Sequence, residues 1–138
     1  MKRYLIVDDD EINRLMLHDF LSEFAKCDLA ENGKEGLNFF EKALAERDPY
    51  DLLCIDLMMP EMNGLALIRK IRGIEKTHNG AGDVRTKVFV ITSSDSIWDR
   101  SDLVLDNLCD EYIVKPFCRG VLLTDLHKNI LVDHPLQF

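Results

Sequence analysis

Apolar residues along this chain fall into two arrangements, short unbroken runs and stripes at helical spacing. The runs at residues 4–7, 52–55, 88–91 and 112–114 lack polar alternation, so each predicts a strand covered on both faces. Residues 27–30 add a shorter strand candidate. After the first run, Ile12, Met16, Phe20 and Phe24, flanked by Leu17 and Leu21, repeat at helical spacing and predict a core-facing helix. Asn32-Gly33 is a turn leading into a second helix with Leu37, Phe40 and Leu44, stopped by Asp48-Pro49. Met59-Pro60 forces a loop, and Asn63 is placed to cap a third helix through Leu65, Leu67, Ile68 and Ile71.

Residues 74–86, with His78-Asn79-Gly80-Ala81-Gly82, show no apolar period and predict a long surface loop. A fourth helix with Leu103, Val104 and Leu108 has the weakest pattern, and residues 121–130 supply a final amphipathic helix. Alternating strands and helices imply one parallel sheet with helices on both faces, because crossovers are right-handed.

That topology gives four polar residues a common address. Asp8, Asp56, Thr92 and Lys115 each follow an apolar run, so all four gather at the carboxyl edge of the sheet, where open α/β sheets bind ligands. Two acids, a hydroxyl and a cation suit a divalent metal and a phosphoryl group. In Asp8-Asp9-Asp10 at least one carboxylate should face the crevice and one should face away, and acids after a strand can also simply cap the next helix. Capping does not explain Asp56. A second acid at a neighbouring strand end creates like-charge conflict unless a cation lies between them, and Mg²⁺, which takes one or two carboxylates plus waters and phosphate oxygens, removes it.

Composition narrows the classes. The 138 residues amount to one domain, and 46% apolar and 30% charged residues are those of an ordinary folded protein. A net charge of -8 argues against direct nucleic-acid or membrane binding and leaves proteins or small ions as partners. The start, Met-Lys-Arg and four apolar residues, is too short for a secretory core, so a cytoplasmic location is expected. Cys27, Cys54, Cys109 and Cys118 contain no C-x-x-C pair and are expected as buried thiols, and His18, His78, His127 and His134 show no metal spacing. Gly80-Ala81-Gly82 lacks the Lys-Ser/Thr of a phosphate-cradling loop.

Val7-Asp8-Asp9, the segment from Asp56 through Met58, Pro60 and Asn63 to Gly64, Ile91-Thr92-Ser93, and Tyr112-Ile113-Val114-Lys115-Pro116-Phe117 together resemble the ordered signature of the response-regulator receiver domain of two-component signalling, the CheY-like superfamily. The resemblance implies a flavodoxin-like (βα)5 fold of strand order 2-1-3-4-5, with a domain over residues 1–132 and a tail over 133–138. It implies Asp56 as phospho-acceptor from a phosphohistidine on a sensor histidine kinase or phosphotransfer protein. Asp8, Asp9, Asp56 and the Met58 carbonyl would hold Mg²⁺, and Thr92 and Lys115 would contact the phosphoryl oxygens. Such a domain is not a metabolic enzyme but catalyses its own phosphorylation and slow dephosphorylation. Thr92 and Tyr112 would switch the face built from the fourth helix, fifth strand and fifth helix for a downstream protein, in a monomer or a phosphorylation-dependent dimer. Lys115-Pro116 would be cis, and Met58 and Ser94 would tune phosphoryl lifetime.

Some features depart from the family. The spacing from Asp56 to Thr92 is long, residues 105–111 lack a small Gly-Ala pair before the fifth strand, and Met58 cannot orient water strongly, which implies a long-lived phosphoryl group. Trp98 is a core candidate or a partner contact. The chain would be a stand-alone receiver or one excised from a longer protein. Asp8-Asp9-Asp10 also resembles the opening of haloacid-dehalogenase-type phosphatases with Asp8 as nucleophile, a reading that leaves Asp56 without a task. A pseudo-receiver that only binds proteins should have lost an edge residue, and none is lost here.

Overall fold

The computed structural model describes residues 2–78, 85–93 and 97–132, with the side chains of residues 97–99 left aside. The elements run β1 (Arg3–Val7), α1 (Glu11–Leu21), β2 (Lys26–Ala30), α2 (Gly33–Ala45), β3 (Leu52–Ile55), α3 (Gly64–His78), β4 (Lys87–Thr92), α4 (Ile97–Leu105), β5 (Glu111–Val114) and α5 (Arg119–Lys128). All strands are parallel, in the order β2-β1-β3-β4-β5 expected from the resemblance.

Alternate side chains of each inner strand build two core layers. Leu5, Val7, Leu53, Ile55, Val88 and Val90 pack with Phe40, Leu67, Ile71 and Leu103 from α2, α3 and α4. Tyr4, Ile6, Leu52, Cys54, Phe89 and Ile91 pack with Leu17, Leu21, Leu122 and Leu126 from α1 and α5. Burial on both faces is why these strands read as unbroken apolar runs.

Local signals set several boundaries. Asn32 caps α2 by accepting the Glu35 amide at 2.8 Å, and Asn63 accepts the Ala66 amide at 2.8 Å ahead of α3. Helices α2, α4 and α5 end alike. Asp48, Leu108 and Leu131 donate their amides five residues back to Ala43, Leu103 and Leu126, while Arg47, Asn107 and Ile130 take positive φ.

Three sequence expectations are corrected. Ile12 and Met16 are 68% and 51% exposed, whereas Leu17, Phe20 and Leu21 are buried as expected and Arg14 joins them on the buried side of α1. The apolar stripe through Phe20 crosses the buried one there, so spacing alone does not choose between them. Residues 74–78 are helical rather than loop, because buried Glu75 pairs with Arg72 at 2.7 Å and accepts the Thr86 amide at 2.7 Å. Cys118 is exposed, unlike Cys54 and Cys109. The rest of the expected loop, including Gly80-Ala81-Gly82, lies outside the described residues, as do His134 and the tail.

Where the Gly-Ala pair is missing, arginines hold the connection from α4 to β5. Arg69 meets Asp106 at 3.2 Å, Arg72 donates twice to the Leu108 carbonyl, and Arg85 donates to the Asn107 carbonyl at 2.6 Å and to Asp110 at 3.1 Å.

Ile130 holds φ 58° with a β-branched side chain that is exposed, so strain is retained there with little compensating burial. Replacing Ile130 with Gly is expected to raise unfolding free energy by about 0.5–1 kcal/mol, the relief of a left-handed L-residue less glycine's chain entropy. Urea melts of the two proteins measure it.

Candidate functional site

The parallel register brings the expected edge residues together. Strand hydrogen bonding continues one residue past β1 and β3, with the Asp8 amide donating to Ala30 O at 3.2 Å and the Asp56 amide to Val7 O at 3.0 Å. The Lys115 amide donates to Thr92 O at 2.8 Å, which ties the end of β5 to the end of β4.

At the centre of the crevice lies the Lys115 ammonium group. It donates to Asp8 Oδ2 at 2.8 Å and to Asp56 Oδ2 at 2.9 Å, and the two acids are only 1% and 6% exposed. Their other oxygens meet backbone amides, Asp8 Oδ1 accepting from Asp10 at 2.9 Å and Asp56 Oδ1 from Met58 at 2.9 Å. Asp9 is exposed, yet its carboxylate and those of Asp8 and Asp56 offer oxygens within 4.8 Å of one another. Three carboxylates and one ammonium leave an excess of negative charge at a point where burial amplifies it.

The titration of the group follows from that crowding. Burial pushes the Asp8 carboxyl above its ordinary value, the Lys115 and Asp10 hydrogen bonds offset this only in part, and the charge on Asp56 adds to it. Burial works against the charge on Lys115, but its bonds to Asp8 and Asp56 prevail and raise its pKa. The ammonium group is therefore a fixed cation through neutrality.

The remaining sequence candidates divide. Asp10 takes the capping role, its side chain accepting the Ile12 and Asn13 amides at 2.9 and 3.3 Å. Thr92 is fully buried as the last residue of β4. Tyr112 is partly buried against the layer that includes α4, and the Arg100 guanidinium lies 4.7 Å from its ring centroid. Lys115-Pro116 is cis, in line with the resemblance. The Met58 side chain is exposed beside the site, while Ser94 and the Trp98 side chain lie outside the description.

Sequence reasoning missed two supports. A side chain on Gly64 would collide with the Asp56 carbonyl oxygen and the Leu57 Cα, so only glycine lets α3 start this close behind Asp56. The other is Arg14, buried and donating to the Asp8 carbonyl at 2.7 Å. Its signal, an arginine inside the first helix after a run of four acids, is ambiguous without coordinates.

The response regulator receiver domain family has a sequence model that matches residues 4–127. The chain belongs to that family. Among curated relatives, the response regulator ArlR of Staphylococcus epidermidis is 37% identical over 140 residues, covering 95% of this chain and 57% of that protein. ArlR of Staphylococcus aureus is 35% identical over 118 residues, covering 85% of this chain and 47% of its own length. The receiver thus spans about half the length of the curated relatives it matches. The response regulator TrrA of Thermotoga maritima, solved in complex with Mg²⁺-BeF, is 34% identical with a TM-score of 0.75, covering 94% of this chain and 99% of that one. The receiver domain of an Arabidopsis thaliana histidine kinase, complexed with Mg²⁺ and BeF3-, superposes with a TM-score of 0.81 at 25% identity, covering 94% of this chain and 89% of that one. Two-component signalling is the setting of the family, and an acidic pocket that binds Mg²⁺ is one of its features. Among the described residues of this receiver, no helix is long and apolar enough to cross a membrane.

Because burial raises the Asp8 pKa, the folded state holds that proton more tightly than the unfolded chain, and the stability contribution of this group falls as pH rises through its folded pKa. Without divalent cations, Asp8→Asn is expected to be more stable than the parent at about pH 7, with the gap closing towards about pH 4, where unperturbed carboxylates titrate. Urea unfolding at the two values tests the sign.

Proposed function

We propose that this receiver accepts a phosphoryl group on Asp56 from a phosphohistidine of a sensor kinase or phosphotransfer protein. The observation that carries this reading is the Lys115 ammonium bonded to both Asp8 and Asp56 beside Asp9. An ionised Asp56 oxygen attacks phosphorus, the phosphorus–nitrogen bond breaks, and the imidazole leaves with the electron pair. Phosphoryl transfer needs mainly in-line positioning and neutralisation of charge on the equatorial oxygens. The Met58 amide orients Asp56, and the Lys115 ammonium, already within bonding distance, follows the charge onto the incoming oxygens.

Asp8, Asp9, Asp56 and the Met58 carbonyl form the oxygen set that would hold Mg²⁺, which fits the excess negative charge of the cluster. When bound, the ion supplies further neutralisation of phosphoryl charge. Ile12, Leu15 and Met16 stand exposed on α1 directly after the acids, in keeping with a protein donor.

For output, the reading rests on population shift: a phosphoryl group favours the state in which the Thr92 hydroxyl donates to it. Tyr112, under Arg100 of α4, would follow that change and alter the face of α4, β5 and α5, where Val104, Leu105 and Val121 are exposed.

Incubation with Mg²⁺ and a small phosphodonor is expected to add one hydroxylamine-labile phosphoryl group, seen by intact mass, and Asp56→Asn is expected to abolish it. Loss only in Asp8→Asn with continued turnover would instead indicate the phosphatase reading, and no gain in the parent a pseudo-receiver. Once phosphorylated, Met58→Asn is expected to lose the group several-fold faster than the parent, because an amide side chain can orient the attacking water where a thioether cannot. Time-resolved mass measurement gives both lifetimes.

A further inference from the structure

The peptide joining Asp8 to Asp9 leaves the sheet. The Asp8 amide still bonds to β2, but its carbonyl lies past the last strand pairing and before α1 begins, where neither strand nor helix supplies a donor. A buried carbonyl in that position is costly if it finds no donor. Arg14, one turn into α1, reaches back and gives it a 2.7 Å bond from Nη1. The guanidinium is itself buried, with Glu31 no nearer than 3.9 Å, so its firm attachment is to this one oxygen.

We infer that Arg14 is a positioning residue for the acid cluster, acting through the backbone between Asp8 and Asp9 rather than by touching a ligand. The peptide unit is planar, and its corners are the Cα atoms of the two acids, so holding its oxygen restrains the positions of both Cα atoms from which the carboxylates extend. Asp8 has further restraints in Asp10 and Lys115. Asp9 has none: among the described residues no hydrogen bond or ion pair holds its carboxylate, which stays within 4.8 Å of the other two through its backbone alone.

The inference rests on the Mg²⁺ reading above, and the test separates the two. Mg²⁺ is titrated calorimetrically into the intact chain, its Asp56→Asn variant, Arg14→Met, which keeps volume but no donor, and Arg14→Lys, which restores donor and charge. Thermal melts confirm that each is folded. Loss of a partner that orients a metal ligand typically weakens metal affinity about 10–100-fold, and Arg14→Met is expected to fall in that range while Arg14→Lys recovers most of it. Arg14→Met within twofold of the parent, even with a lowered melting temperature, would overturn the positioning role and leave a structural one. Failure of the parent itself to bind Mg²⁺, or unchanged binding in Asp56→Asn, would overturn the metal reading on which the inference depends.

Discussion

Two buried carboxylates share one ammonium group at the carboxyl edge of the sheet, and the rest of the molecule is arranged around that compromise. Asp8 and Asp56 lie buried at the ends of neighbouring strands, where burial and the charge on Asp56 raise the cost of ionising Asp8. Lys115, one residue past the end of β5, reaches across the end of β4 to both acids. Its bonds reduce the conflict without removing it, since Asp9 brings a third negative charge to the same point.

The scaffold answers this with stiffness. Both oxygens of Asp8 and of Asp56 are bonded, Gly64 lets α3 press against the backbone of Asp56, and Arg14 holds the exit from β1. At the opposite end of the sheet the charges close on themselves: Arg3 pairs with Asp28, which also accepts the Tyr50 hydroxyl at 2.6 Å, and Arg72 pairs with Glu75. Among the described residues no buried side-chain nitrogen or oxygen lacks a hydrogen-bond partner.

Much of this was legible in the sequence, for a physical reason. Parallel strands buried on both faces leave unbroken apolar runs, and the residue ending each run must emerge at the same edge, so Asp8, Asp56, Thr92 and Lys115 could be placed together before any coordinates. The turn chemistry of Asn32 and Asn63 was equally local. Orientation was not. Ile12 and Met16 share helical spacing with Phe20 but face outwards, while Arg14, polar by type, faces in because a carbonyl awaits it. The end of α3 escaped for a related reason, since Glu75 is buried through an ion pair and not through apolarity. Exposed Val104 shows the same limit in α4, where the apolar residues that made its pattern do not all point to the core.

The long stretch between Asp56 and Thr92 enters this geometry in a particular place. Helix α3 starts at the reactive edge and returns to the far side of the sheet, where Glu75 receives the Thr86 amide and Thr86 Oγ1 donates to Tyr50 O at 3.1 Å before β4 begins. The described residues that flank the rest of that stretch are thus tied together by this latch, at the end of the sheet away from the acids. The pairing of β4 with β3 is thereby anchored by residues that bracket the long connection and not by the connection itself.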